Sequence, residues 1–349
     1  MNALYSSNLD KQINLVTLRS PTPARYNKMF SSLRKAFNAN LITGTIVPTI
    51  HLRMNIGTIV TYSSLFSKVT ITSKPTIIDV NALMCATLRQ RKNLAVDFRT
   101  PFSYELKWLG HSIMSSVARL MENTLGNVGL ITAANELMAK YCIEKGATNV
   151  EVIPNYPSRD FKPSIEIEKW KALNGLSLND IVVLFSGGVR IKEIYGLDLL
   201  LESWKLVEDS VDAPTLVILG DECVDYMRKK ARSLMIKRLL LPGRVCVKDV
   251  ANWINSADLC LAPRTPGFSD AFYNDKDSTK ISEYATLLKP IVATCYAPSD
   301  QYLLVKPNPF DLSEGILRGL EGKIAPSKAH YWDDNEPKLL QAIDNFFYK

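Results

Sequence analysis

Three histidines and six cysteines are all that 349 residues supply of the side chains most often used for metal and redox chemistry, and neither set is clustered. The cysteines (Cys85, Cys142, Cys223, Cys246, Cys260, Cys295) form no C-x-x-C pair, and several sit in apolar, strand-like runs, so neither a zinc site nor a disulfide framework is expected. That usage fits a reduced, intracellular setting. No apolar run reaches the ~18 residues of a membrane span, and the opening MNALYSSNLDKQ has no basic segment followed by an apolar core. The expectation is a cytoplasmic protein. Also missing are G-x-G-x-x-G and the GK[ST] ending of a P-loop, which argues against a dinucleotide site of the usual kind and against an NTPase.

What is present is an ordinary globular composition, 46% hydrophobic and 22% charged, in a chain longer than one hydrophobic core usually serves. Two domains are the default. The net charge of +7 is unevenly placed: residues 1–150 carry 17 Lys+Arg against 7 Asp+Glu, a balance of +10 that leaves −3 for the rest. A basic first half favours phosphates, nucleic acid or an anionic membrane surface.

Short β-branched runs alternate with helical patterns from 181 onward: IVVLF (181–185), TLVIL (215–219), RVCV (244–247), LCLA (259–262) and PIVAT (290–294). This predicts a parallel α/β sheet. The first half reads the same way more faintly, with INLVTL (13–18), GTIVTY (57–62), PTIIDV (75–80), NLAVDF (93–98), VGLITA (128–133) and VEVIP (150–154). Between the halves, the three prolines of PNYPSRDFKPS interrupt regular structure. The expected domains are therefore 1–157, completed by a C-terminal helix within 331–349, and 158–330. Asn155 is expected to fix the linker turn, and Phe161 to plug the second domain.

Charged residues gather where two strands end. In FSGGVRIKEIYGLD, Gly187 and Gly188 follow a strand, and Arg190 and Lys192 come directly after, an arrangement that suits a diphosphate. A glycine turn with solvated cations fits equally well. In LCLAPRTPGFSDAFYNDKDSTKISEY, a polar loop leads to a helix on which Lys280 and Glu283 lie one turn apart. A carboxylate there can accept from both hydroxyls of a ribose, while the amides at the helix start, Ser278 and Thr279, can face a phosphate. A surface salt bridge remains the alternative.

These pieces, taken in order from Val128 to Phe347, resemble retaining GT-B glycosyltransferases of the family 4 type: GLITAANELMAKYCIEKGATNVEVIPN, FSGGVRIKEIYGLDLLLESW, VILGDE, LPGRVCVKDVANWINSADLCLAP and STKISEYATLLKPIVAT. The resemblance implies two Rossmann-like domains with parallel sheets facing a central cleft, and a final helix crossing back to the first. It implies that Arg190 and Lys192 neutralise the donor diphosphate and the charge on the leaving group. Glu283 matches the second acid of the family's Glu, seven residues, Glu pattern and would hold the donor ribose. Asp275 takes the place of the first acid, near the donor sugar. Gly187, Gly188, Ser278, Thr279 and Lys280 complete the donor site by the same resemblance.

An aspartate at 275 departs from the commonest form of the pattern, and the first loop, RSPTPARYNKMF, lacks the usual Gly-Gly, leaving Arg25 as a stand-in. DKD (275–277) looks like the metal-binding D-x-D of the other glycosyltransferase architecture, but a metal site needs more ligands around it. No metal and no cofactor are expected; the substrate is a UDP- or GDP-linked sugar and the acceptor a lipid-linked molecule, a glycan or a protein. The basic first domain suggests peripheral contact with an anionic membrane, while the absence of arginine-rich tracts and zinc spacings argues against nucleic acid. His51 and His111 follow no strand in the family's manner and read as structural or exposed. Asp97 and Arg99 end a strand, either facing the cleft or pairing internally. The competing functions are a degenerate GT-B scaffold, a basic nucleic-acid-binding protein and a GT-B sugar-nucleotide epimerase.

Overall fold

The computed structural model describes residues 11–19, 27–45, 75–79, 93–108, 110–187, 195–211, 214–220, 223–267 and 269–348. They form two compact units, Met1–Pro154 with Asp334–Lys349, and Asn155–Asp333. Among these residues no helix is long and apolar enough to cross a membrane.

The first unit is built on β1 (Gln12–Arg19), β2 (Asn38–Thr45), β3 (Thr76–Asp79), β4 (Leu94–Phe98), β5 (Leu130–Ala133) and β6 (Val150–Val152). All pairings are parallel, in the order β2-β1-β3-β4-β5-β6. β4 is buried at every position, as expected of an inner parallel strand covered on both faces. The sequence pattern gives no strand at β2, where Asn38, Asn40 and Gly44 dilute the β-branched signal; among the described residues β2 pairs with β1 alone. The strand expected at 57–62 lies outside the described residues.

Helices α1 (Asn27–Ala36), α2 (Phe102–Trp108), α3 (Ser112–Glu122) and α4 (Glu136–Glu144) belong to this unit. The last starts at a true cap, the Asn135 side chain accepting from the Met138 amide at 2.8 Å. A later helix, Trp332–Tyr348, returns to this unit from Asp334 onward. Lys338 Nζ donates to the Val152 carbonyl at 3.2 Å, Tyr348 Oη donates to the Gln12 carbonyl at 2.7 Å, and Leu339, Leu340 and Ile343 are buried.

The second unit orders its strands β12-β11-β10-β7-β8-β9, again all parallel. They are β7 (Ile181–Ser186), β8 (Pro214–Leu219), β9 (Leu239–Gly243), β10 (Leu259–Ala262), β11 (Ile291–Thr294) and β12 (Leu303–Val305). Val182 and Leu184 of β7 enter one core with Trp253 and Tyr284, while Val183 and Phe185 enter the opposite core with Leu200 and Trp204. Phe161 packs against the first of these cores.

One expected strand is displaced. RVCV (244–247) is not a strand: β9 ends at Gly243, and the Cys246 carbonyl accepts from the amides of Asp249 and Val250, which opens a helix at Val247. Val247 is exposed, so its β-branched character reports no core position. The strand lies instead in LLLPG, where Pro242 costs little because β9 is the sheet's edge.

The helices of this unit, in chain order, are α5 (Ile167–Leu173), α6 (Leu197–Glu208), α7 (Val224–Ser233), α8 (Val247–Ser256), α9 (Ser269–Phe272), α10 (Thr279–Thr286) and α11 (Pro309–Leu320), and the returning helix is α12. In α11 a Cβ on Gly319 would stand 2.6 Å from Leu259 Cδ1, deep in the core under β10. Gly319→Ala should therefore destabilise this unit by about 1–3 kcal/mol of overpacking, seen as a lower melting temperature in scanning calorimetry. An unchanged transition would show that Leu259 can give way.

Candidate functional site

The chemistry-bearing residues that the structure brings together lie where β7 and β10 end and α10 begins, all within the second unit. Tyr284 of α10 builds the platform. Its hydroxyl accepts from the Ser186 amide at 2.7 Å and from Ser186 Oγ at 3.1 Å, and donates to the Leu261 carbonyl at 3.3 Å. Burial pushes the Tyr284 pKa well above the ordinary phenol value, so the hydroxyl keeps the proton that this donation needs. The helix is thus fastened to the ends of both strands.

One turn earlier, that fastening sets Lys280 against the glycine turn. The side chain is buried, with Nζ 4.0 Å from the Phe185 ring centroid and 4.5 Å from that of Tyr195. A Cβ on Gly187 would stand 2.9 Å from Nζ, so the missing side chain is what lets the backbone and the ammonium approach. Aromatic faces compensate part of the desolvation of a buried cation. Glu283, on the same helix, is half-buried.

The loop before the helix is held in several places. The Asn155 amide donates to the Lys276 carbonyl at 2.6 Å, and Asn155 Nδ2 reaches Thr279 Oγ1 at 3.4 Å. Ser278 Oγ lies 3.2 Å from Tyr296 Oη. Asp275 is buried and its Oδ1 accepts from Ser299 Oγ at 2.7 Å; Asp277 Oδ1 accepts from the Asn274 amide at 2.7 Å. Both carboxylates of the DKD run are therefore engaged by their own protein. Among the described residues, no group of three or more His, Cys, Asp or Glu is placed to hold a metal ion.

Arg264 carries no sequence signal and belongs to the same neighbourhood. Its guanidinium is buried between the rings of Tyr273, at 4.5 Å, and Tyr296, at 4.7 Å. Its amide donates to Thr294 Oγ1 at 2.8 Å, and that hydroxyl donates back to the Arg264 carbonyl at 2.7 Å. Burial pulls the guanidinium pKa down, but the facing Tyr296, Tyr273, Tyr195 and Asp277 outweigh it and hold the value above the ordinary one. Two buried cations, Arg264 and Lys280, thus stand close to Tyr195.

Gly188, Arg190 and Lys192, like Arg25 and His51, lie outside the described residues. In the first unit, buried Asp97 and half-buried Arg99 form an ion pair at 2.7 Å; Thr132 Oγ1 also donates to Asp97, at 2.9 Å, and Arg99 Nη1 to the Ile153 carbonyl, at 2.7 Å. The pair ties β4 and β5 to the exit of β6. His111 is exposed ahead of α3, and the third histidine, His330, stacks on Tyr156 at 5.1 Å. Trp170, Trp204, Trp253 and Trp332 are buried packing residues.

Residues 180–321, wholly inside the second unit, match the model of the family described as glycosyl transferases group 1. By this match the second unit is similar to a group 1 glycosyltransferase domain. No curated protein sequence matches the chain. Solved structures similar in fold include sucrose-phosphate synthase from Thermosynechococcus elongatus, at 11% identity and a TM-score of 0.67 over 97% of this chain and 95% of that one. Anabaena HepE in complex with UDP-glucose aligns at 15% identity and 0.65 over 96% and 95%. UDP-GlcNAc 2-epimerase from Neisseria meningitidis, bound to UDP-GlcNAc, aligns at 12% and 0.65 over 96% and 98%. At these identities the likeness is one of fold, the two-unit GT-B fold of glycosyltransferases and epimerases.

Proposed function

We propose that this glycosyltransferase moves a sugar from a nucleoside-diphosphate donor to an acceptor, with retention at the anomeric carbon and without a bound metal. The observation that carries the reading is the buried Lys280 ammonium at the Gly187 turn, one helical turn before half-buried Glu283. In this reading Lys280, with Arg190 and Lys192 that follow Gly187 in sequence, offsets the charge that grows on the leaving diphosphate. Glu283 accepts from the ribose hydroxyls. The amides of Ser278 and Thr279 face a phosphate, and Asp275, held by Ser299, stands toward the sugar.

The leaving phosphate takes the acceptor's proton on the face from which it departs, so no histidine base is required. The first unit holds the acceptor, and its basic balance suits an anionic or lipid-linked one at a membrane surface of the cytoplasm. UDP-glucose and UDP-GlcNAc in the similar structures support a nucleotide-sugar donor. Those same structures make an epimerase the second reading; of the two described histidines, His111 is exposed at a helix start and His330 stacks on Tyr156.

Glu283→Ala should weaken donor binding by roughly tenfold or more while the protein stays folded, because a carboxylate accepting from two hydroxyls is lost. Product analysis by NMR in EDTA tests the chemistry: transfer with an unchanged anomeric configuration supports the reading. Inversion of configuration, or C2-inverted sugar nucleotide with no transfer, would refute it.

A further inference from the structure

The run MRKKARSLMIKR (227–238) contains six basic residues and no acid. Lys229 is exposed, and the structure separates the other five into two groups. Lys230 pairs with Glu202 at 2.7 Å and Arg238 with Asp180 at 3.1 Å, so these two serve the fold. Arg228, Arg232 and Lys237 instead line an open cavity of about 360 Å³ between α7 and edge strand β9, whose apolar wall is Ile236 and Leu239 to Leu241. Arg228 pairs with exposed Asp225, at 3.7 Å. Arg228 and Arg232 are like charges four apart on a helix, an arrangement that costs a few tenths of a kcal/mol and that folding does not ask for.

Apolar tips project beside these cations. Met235 is 72% exposed at the turn between α7 and β9, held in a left-handed conformation at φ 54°. Leu206 of α6 is 41% exposed beside Glu208, whose carboxylate is occupied by the amides of Lys237 and Arg238. Leu178 is 56% exposed, two residues from the Asp180 that holds Arg238. These tips lie at the amino ends of the strands, whereas Gly187, Lys280 and Glu283 lie at the carboxyl ends, so a partner docked here leaves the candidate donor site open.

We propose that the α7–β9 face docks on an anionic phospholipid surface, with Arg228, Arg232 and Lys237 against the headgroup phosphates and Met235 inserted among the apolar chains. Cations flanking protruding apolar side chains are complementary to a charged interface with a greasy interior. This adds a membrane contact on the second unit, which by net charge is the less basic one but whose local pairing leaves these three cations facing solvent. The inference stands independently of the sugar-transfer reading.

The test is co-sedimentation of the full chain with vesicles of phosphatidylcholine alone and with about one third phosphatidylglycerol, at two salt concentrations. Binding is expected only to the anionic vesicles and should weaken as salt rises. Each cation near such a surface contributes about fivefold, so Arg228→Gln with Arg232→Gln and Lys237→Gln should lose roughly 100-fold. Met235→Asn suits the left-handed backbone, so its loss of vesicle binding would not reflect unfolding; a several-fold decrease that persists at high salt is expected. Equal affinity of the triple variant and the wild-type chain would overturn the proposal. So would binding to duplex DNA with none to vesicles. Unchanged thermal melting of the variants is the control for folding.

Discussion

Lys280→Met should weaken binding of a nucleoside diphosphate by roughly 10- to 100-fold with little change in thermal stability. Methionine keeps an unbranched chain over the Phe185 and Tyr195 rings, so packing survives while the charge is removed. The loss is large because the ammonium is buried, and a charge–phosphate contact there is screened far less than one in solvent. Gly187→Ala approaches the same contact from the other side: its Cβ would stand 2.9 Å from Lys280 Nζ and must push that flexible end aside. Because Gly187 sits at φ 158°, the alanine also strains the backbone, so this variant should lose part of the affinity and some stability. If Lys280→Met bound nucleoside diphosphates like the wild type but melted lower, the lysine would be a packing residue.

Glu122→Ala should cost the first unit about 3–5 kcal/mol. Glu122 is almost fully buried and accepts three hydrogen bonds, from the Ser103 amide at 2.8 Å, Ser103 Oγ at 2.5 Å and Tyr141 Oη at 2.7 Å. Truncation leaves those donors facing a cavity, and each unsatisfied buried group costs ~1–3 kcal/mol. Burial first, then Glu122, holds the Tyr141 pKa far above the ordinary phenol value, so removing the carboxylate should also bring that pKa down. Glu122→Gln retains an acceptor oxygen and should fall between the two. Because two units need not unfold together, scanning calorimetry with separate transitions is the appropriate measurement. A wild-type transition for Glu122→Ala would mean that solvent replaces the carboxylate at no cost.

The residues of the two sheets show what a sequence can display. IVVLF and LAVDF are buried at nearly every position, so their composition alone marks inner strands. Edge strands are less legible: NANLITGT carries polar residues that a strand with one partner tolerates, and the apolar pull of RVCV conceals that the real edge strand stops at Gly243. Lys280 and Glu283 were visible through helical spacing and resemblance. Arg264 was not, because Tyr273 and Tyr296, which enclose it, are neighbours only once β10 and β11 are paired. Glu122 was hidden for the same reason, its partners lying 19 residues away on either side. The hydrogen bonds that Asp275 and Asp277 accept likewise depend on loop closure that no spacing reports.

Calorimetric titration of the purified chain with UDP, GDP, ADP and TDP in EDTA tests the central claim most directly, with Lys280→Met titrated in parallel. The account predicts saturable, one-site binding of a single nucleotide, UDP or GDP, without added metal, weakened at least tenfold in the variant. A folded protein that binds none of the four, or a variant that binds as tightly as the wild type, would contradict it.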